Sequence, residues 1–266
     1  VKNDAEAKII SDDLRAASFG IDSIEKKTTK KNPPPPFITS TLQQEAAKRL
    51  GYSSKKTMFL AQQLYENSLI TYMRTDSVNL SQESLTAGKA YLEKTFGASY
   101  AAEAPRVWKT QSKSAQEAHE AIRPTDANLS PDKLESVLDS KMHRLYTLIW
   151  QRAVASQMED ARLTQTNLEI STTDAPEQYT FKAIGVIVDF LGFSAVYPLS
   201  TKESILPQLT KDEKMTAEEI TSEGKQTEPP ARYNDATLVK AMEEYDIGRP
   251  STYAPTISTI ITRGYV

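Results

Sequence analysis

The spacing of apolar residues changes period twice along the chain. Residues 3–17 carry a helical pattern and residues 19–24 a short strand. From residue 37 to residue 158 apolar side chains recur mainly at helical spacing. Between about residues 160 and 227 the period falls to two, and after residue 230 it is helical again. Residues 37–66 read as a helix-turn-helix. Ser40 and Gln43 form a capping-box pair, Leu42, Ala46 and Leu50 line one face, and Gly51 ends the first helix. The second runs over 54–66, with Phe59, Gln63 and Glu66 on one side and Met58, Ala61, Leu64 and Tyr65 nearer the other. "SLITYM" follows as a short strand-like run, and "RTDSVNLS" as a turn rich in capping residues.

A further helix is expected over 81–96. Ser114 with Glu117 opens a short one through His119 that ends near Ile122, because Arg123 precedes Pro124. Two more cover 132–138 and 141–158, with Leu145, Leu148, Ile149, Ala153 and Met158 as core. Strands are expected over 166–171 and 179–190, with Gly185 as a candidate bulge, and more weakly over 206–221. Helices near 235–245 and 251–262 close the pattern.

Prolines mark the boundaries. "EKKTTKKNPPPPF" reads as a linker, since Pro33 to Pro36 must adopt polyproline II and cannot join a helix or a central strand. Glu228-Pro229-Pro230 is a second break. The expected fold is therefore α+β and multidomain, with a mostly helical domain (33–158) inserted into a β-rich one (1–32 and 159–228). Residues 229–266 begin another helical domain. The chain starts without an initiator Met and stops at Gly264-Tyr265-Val266, which reads as a strand beginning; a fragment of a larger protein is expected.

Composition narrows the chemistry. The 266 residues contain no cysteine, which excludes disulfides, thiolate zinc sites and catalytic thiols. His119 and His143 are the two histidines, too few for a histidine-rich metal site. The net charge of −3 means that any nucleic-acid surface must be local. No run of 18 apolar residues and no signal pattern is present, so a cytoplasmic protein without a membrane partner is expected.

Three clusters could carry chemistry. Tyr72 lies two residues from Arg74, which on a strand puts both on one face. A phenol with a pKa of about 10 needs activation, and a guanidinium favours phenolate and stabilises charge on a phosphoryl oxygen. An aryl phosphodiester preserves the free energy of the broken link, so a released hydroxyl can reverse the reaction. The structural alternative packs Tyr72 under the helix-turn-helix and leaves Arg74 in solvent. In "QEAHEAIRP", Glu117, His119, Glu120 and Arg123 offer an acid or base beside a phosphate contact, or simply a charged surface helix. In "IGRPSTYAPTISTIITRGYV", Pro250 sets a helix entry where Ser251 and Thr252 cap, Arg249 stands at the same end and Arg263 at the other. The alternative there is a well-capped scaffolding helix.

"PPPPFITSTLQQEAAKRLG", "LITYMRTDS", "QEAHEAIRP" and "GRPSTYAPTISTIITRGYV" together resemble the bacterial type I DNA topoisomerases of class IA, in the family's order, over about residues 36–266. The resemblance implies that Tyr72 is the nucleophile that cleaves single-stranded DNA and stays joined to the 5′ phosphate. Arg74 then contacts DNA and stabilises the transition state, and His119 acts near the scissile strand with Arg123 as companion. Arg249, Ser251, Thr252 and Arg263 contact DNA, and Asp76 is linked to domain opening. The helical domain becomes a lid of CAP-like helix-turn-helix character, the β-rich segments an arch, and 229–266 the start of the DNA groove. Strand passage through the gap relaxes negatively supercoiled duplex DNA without ATP.

The resemblance also implies parts that this sequence does not contain. Family members hold Mg²⁺ on a D-x-D-x-E cluster of an N-terminal Toprim domain, and many carry C-terminal zinc modules. Neither the acidic pattern nor the cysteines occur here. Partners would be those domains, single-stranded DNA and supercoiled duplex, in a nucleoid-associated monomer, and the chain alone is expected not to relax DNA. A tyrosine recombinase would need H-x-x-R where this chain has H-x-x-x-R, and a rolling-circle initiator would need H-x-H. A helix-turn-helix DNA-binding module and a pure hinge scaffold are the non-catalytic alternatives.

Overall fold

In the computed structural model, which describes residues 1–109, 119–199 and 201–266, the lysine-rich stretch ahead of the prolines is a strand rather than a linker. Strand β1 (Phe19–Lys31) pairs antiparallel along its length with β2 (Ala161–Thr172), from Phe19 opposite Thr172 to Lys31 opposite Ala161. β2 pairs in turn with β3 (Thr180–Phe190), and β4 (Lys214–Met215) meets only Phe19 and Gly20, giving the order β3-β2-β1-β4. The far half of β1 is thus a sheet edge, where lysines keep other strands from adding.

Gly185 is no bulge. It lies in register opposite Thr166, and the register shifts fall between Ile21 and Ser23 and between Arg162 and Leu163. What Gly185 provides is room: a Cβ there would stand 2.8 Å from Leu206 Cγ and 3.1 Å from the Ser204 carbonyl. Beside it, Val186 and Ser204 exchange backbone hydrogen bonds. Of the strand expected over 206–221, only β4 forms. Helix α1 (Asp4–Ala16), capped by the Asn3 side chain, completes this unit of Val1–Lys31, Ala161–Leu191 and Leu199–Pro230.

The other unit comprises Asn32–Asp160, Gly192–Pro198 and Ala231–Val266. Helices α2 (Thr39–Leu50) and α3 (Ser54–Glu66) flank a short turn in which Gly51 takes the left-handed conformation at φ 66°. α4 (Gln82–Phe96), α5 (Pro131–Leu134), α6 (Ser140–Ala155), α7 (Asp235–Glu244) and α8 (Tyr253–Thr262) follow. α6 is central: Leu145, Tyr146, Leu148, Ile149 and Trp150 are all buried, so it is apolar around most of its circumference. Phe37, Leu42, Leu64, Ile70, Met73 and Ile122 complete the core, each contributing roughly 1.5–3 kcal/mol by burial. α7 packs on α2 and α8 on α3, so residues 231–266 belong to this unit, while Val239, Met242, Tyr253 and Ile257 form a small core of their own.

Several local expectations are corrected. The capping-box partner is Thr41, whose hydroxyl accepts from Ile38 N–H at 3.0 Å; Ser40 and Gln43 are buried along the helix instead. On α3 the buried face is Ser54, Thr57, Leu60, Ala61 and Leu64, and Tyr65 is exposed. The expected helix over 132–138 shortens to α5. Residues 119–124 are not helical: Ile122 bridges Phe37 and Pro124 bridges Ile70, so His119 and Arg123 do not share a helix face. Ser114 and Glu117 lie outside the described residues. Gly264 starts no strand; at φ 67° it closes α8, with Tyr265 N–H bonding the Ile260 carbonyl. Among the described residues no helix is long and apolar enough to cross a membrane.

Candidate active site

Tyr72 lies just past the single bridge at Ile70, between bends at Thr71 and Met73 rather than on a strand. The chain reverses after α3 through Ser68, left-handed at φ 58°, with Ser68 and Leu69 N–H bonded to the Tyr65 and Leu64 carbonyls. Threonines then pin the backbone on both sides of Tyr72. Ahead of it, the Thr71 hydroxyl donates to the Ala121 carbonyl (2.7 Å) and accepts from Arg123 N–H (3.0 Å). Behind it, the buried Thr39 hydroxyl bonds the Met73 and Thr75 carbonyls (2.7 and 3.0 Å) and accepts from Thr75 N–H (2.9 Å). Met73 is buried between Tyr72 and Arg74, and both of these point outward, the tyrosine 42% exposed. The Tyr72 ring meets that of Tyr65 edge-to-face, centroids 5.3 Å apart.

Arg74 makes no ion pair among the described residues. With Lys55, Met58, Pro250, Ser251, Ala254, Pro255, Ser258 and Thr259 it lines an open groove of about 400 Å³ between α3 and α8. The start of α8 is ordered from within: the Thr252 hydroxyl accepts from Arg249 N–H (2.8 Å) and donates to the Arg249 carbonyl (3.2 Å). Thr252 therefore shapes the turn instead of capping α8 with its side chain. Arg249 donates to the Gly248 carbonyl, and Arg263 is exposed at the far end of the helix. Burial raises the pKa of the Tyr253 phenol; Glu243, Asp76 and Asp246 add to this while Arg249 opposes.

His119 is half-buried at the start of the extended segment that runs beside Thr71. Arg123 is already engaged, pairing with Glu120 at 2.7 Å and donating to the Pro124 carbonyl, with its Nε buried and unpartnered. Glu120 also accepts from Ser81 N–H at the start of α4. Burial raises its pKa, but the Ser81 and Arg123 bonds outweigh that and hold it below the usual carboxylate range. Thr39 and Tyr65 were not singled out as functional residues from sequence, and only the threonine-rich "ITST" run hinted at the first.

An exposed phenol on a braced backbone, a guanidinium two residues on that makes no ion pair among the described residues, and an open groove lined by that guanidinium and Lys55 suit a phosphodiester strand. Among the described residues no group of three or more His, Asp or Glu could hold a metal ion.

The model of the DNA topoisomerase family matches residues 1–266. The chain is 46% identical over 278 residues to DNA topoisomerase 1 of Mycolicibacterium smegmatis, covering all of this chain and 30% of that one. With DNA topoisomerase 1 of Haemophilus influenzae it shares 46% over 268 residues, again all of this chain and 30% of the relative. Full-length topoisomerase I from Thermotoga maritima has a similar structure, with a TM-score of 0.83 and 34% identity over 99% of this chain and 43% of that one. The chain spans about a third of the length of the curated relatives it matches.

Proposed function

The chain belongs to the DNA topoisomerase family, and from that premise we propose that it carries the nucleophile and part of the DNA surface of a class IA enzyme. The observation that carries this reading is the outward-facing Tyr72, its backbone fixed by Thr39 and Thr71 and followed by Arg74, which makes no ion pair among the described residues. Tyr72 Oη attacks a backbone phosphorus of single-stranded DNA. The O–P bond forms, the P–O3′ bond breaks, and the phenolic proton ends on the departing 3′ oxygen. The new ester stores the energy of the link, and attack by the 3′-hydroxyl reverses each transfer. Arg74 neutralises the phosphoryl oxygens as charge builds in the transition state. His119 moves the proton, and Asp76 acts at the hinge of opening.

Arg249, Ser251, Thr252 and Arg263, with Arg123 once released from Glu120, hold the strand. A Toprim domain would hold the Mg²⁺ that the family resemblance implies, and the chain alone is proposed not to relax supercoils.

Covalent trapping on 3′-labelled single-stranded DNA tests this. The chain would be assayed alone, with a separately made Toprim domain plus Mg²⁺, and as Tyr72→Phe. A labelled adduct that requires both Tyr72 and the added domain is the expected result. An adduct that survives Tyr72→Phe, or none from an assembled mixture, refutes it and leaves a DNA-binding or hinge role.

A further inference from the structure

Building on the assignment of Tyr72 as nucleophile, we infer that Tyr65 is its positioning residue. The two are seven positions apart, yet the left-handed turn at Ser68 returns the chain so that their rings meet at 5.3 Å and 65°. Threonine hydroxyls fix the backbone around Tyr72, but they do not fix its side chain. Among the described residues no hydrogen bond holds its Oη, and Tyr65 is the one aromatic ring it touches. A half-exposed tyrosine has several staggered rotamers open to it, and only one can aim Oη in line with a P–O3′ bond.

Tyr65 itself is a firm support. It sits in the last turn of α3, directly after the fully buried Leu64, and its carbonyl accepts from Ser68 N–H at 2.8 Å. An edge-to-face pair is directional, so the Tyr65 ring favours one orientation of Tyr72 over the others. Its own hydroxyl has no part in this, and phenylalanine can replace it. Tyr65 is 41% exposed, so its removal leaves the core of α3 intact.

The test measures single-turnover adduct formation at saturating single-stranded DNA, with the Toprim domain and Mg²⁺ supplied, alongside the Kd for the same oligonucleotide. Tyr65→Ala is expected to slow adduct formation about 3- to 10-fold, the size one aromatic pair supports, with Kd unchanged. Tyr65→Phe is expected to restore the rate. In the chain alone, the ring-proton resonances of Tyr72 should lose their ring-current shift in Tyr65→Ala and keep it in Tyr65→Phe. A Tyr65→Ala rate equal to the parent, or a rate loss that follows a weakened Kd, overturns the inference. Failure of the underlying reading is separate: it appears as an adduct from Tyr72→Phe or none from the parent.

Discussion

Thr39 bears on the candidate nucleophile without touching it. Its hydroxyl, fully buried, links the first turn of α2 to both carbonyls and one N–H of the segment carrying Met73 and Thr75. Thr39→Val keeps the shape and removes the bonds, leaving buried backbone groups unsatisfied at a cost of about 1–3 kcal/mol. The expected outcome is a lower urea midpoint and slower adduct formation by Tyr72, with Thr39→Ser recovering most of both. Tyr72 and Arg74 drew attention in the sequence because their spacing and motif are local. Thr39 was not, because "ITST" offers three hydroxyls and only the fold assigns them: Thr39 to the Tyr72 segment, Ser40 to Glu243, Thr41 to Ile38.

At the scale of elements, α7 is held to the helix-turn-helix by acid–hydroxyl bonds. Asp235 accepts from both the N–H (3.1 Å) and the hydroxyl of Ser54, and Glu243 accepts from the Ser40 hydroxyl (2.7 Å). Ser54 is buried, so Asp235→Ala strands two donors, and bonds to a charged group are worth about 1.5–3 kcal/mol. Faster amide exchange in α7 is expected, with α6 unaffected. The periodicity located α2, α3, α6, α7 and α8, because each buries a stripe of its own residues, and α4 too, although that helix buries only Leu92. It failed over 119–124, where Ile122 and Pro124 pair with distant residues and non-local bridging overrides helix-forming composition.

At the scale of the molecule, a net charge of −3 is compatible with DNA binding only through a local surface. Arg74 and Lys55 line the α3–α8 groove, and Arg249 and Arg263 stand near the ends of α8. Three or four phosphate contacts predict a log–log salt slope of about −2 to −3 for single-stranded DNA. Titration from low to high salt measures it, and Arg74→Ala should flatten the slope by about 0.7.

Acid should act through Glu45, which joins separate segments by accepting from the Tyr197 hydroxyl and Arg49, while Arg152 bonds Tyr197 and the Pro35 carbonyl. Burial raises the Glu45 pKa, but the Tyr197 and Arg49 bonds outweigh it and hold it below its usual 4.5. A depressed folded value contributes stability that is present above the usual carboxylate range and lost as pH falls through the folded pKa. The unfolding midpoint should drop over that acid range, and Glu45→Gln should remove that part of the drop.

The sequence by itself determined the longer helices, the strands over 166–171 and 179–190 and the spacing of Tyr72 and Arg74, since each rests on neighbours within one or two turns. Tertiary structure alone decided that the lysines of 26–31 form a strand, because β2 lies more than a hundred residues away. It also decided that Arg123 is spent on Glu120 while Arg74 makes no ion pair among the described residues, and that Tyr65 faces Tyr72. Contacts of that kind depend on which surfaces the packed core brings together, and no local period records them.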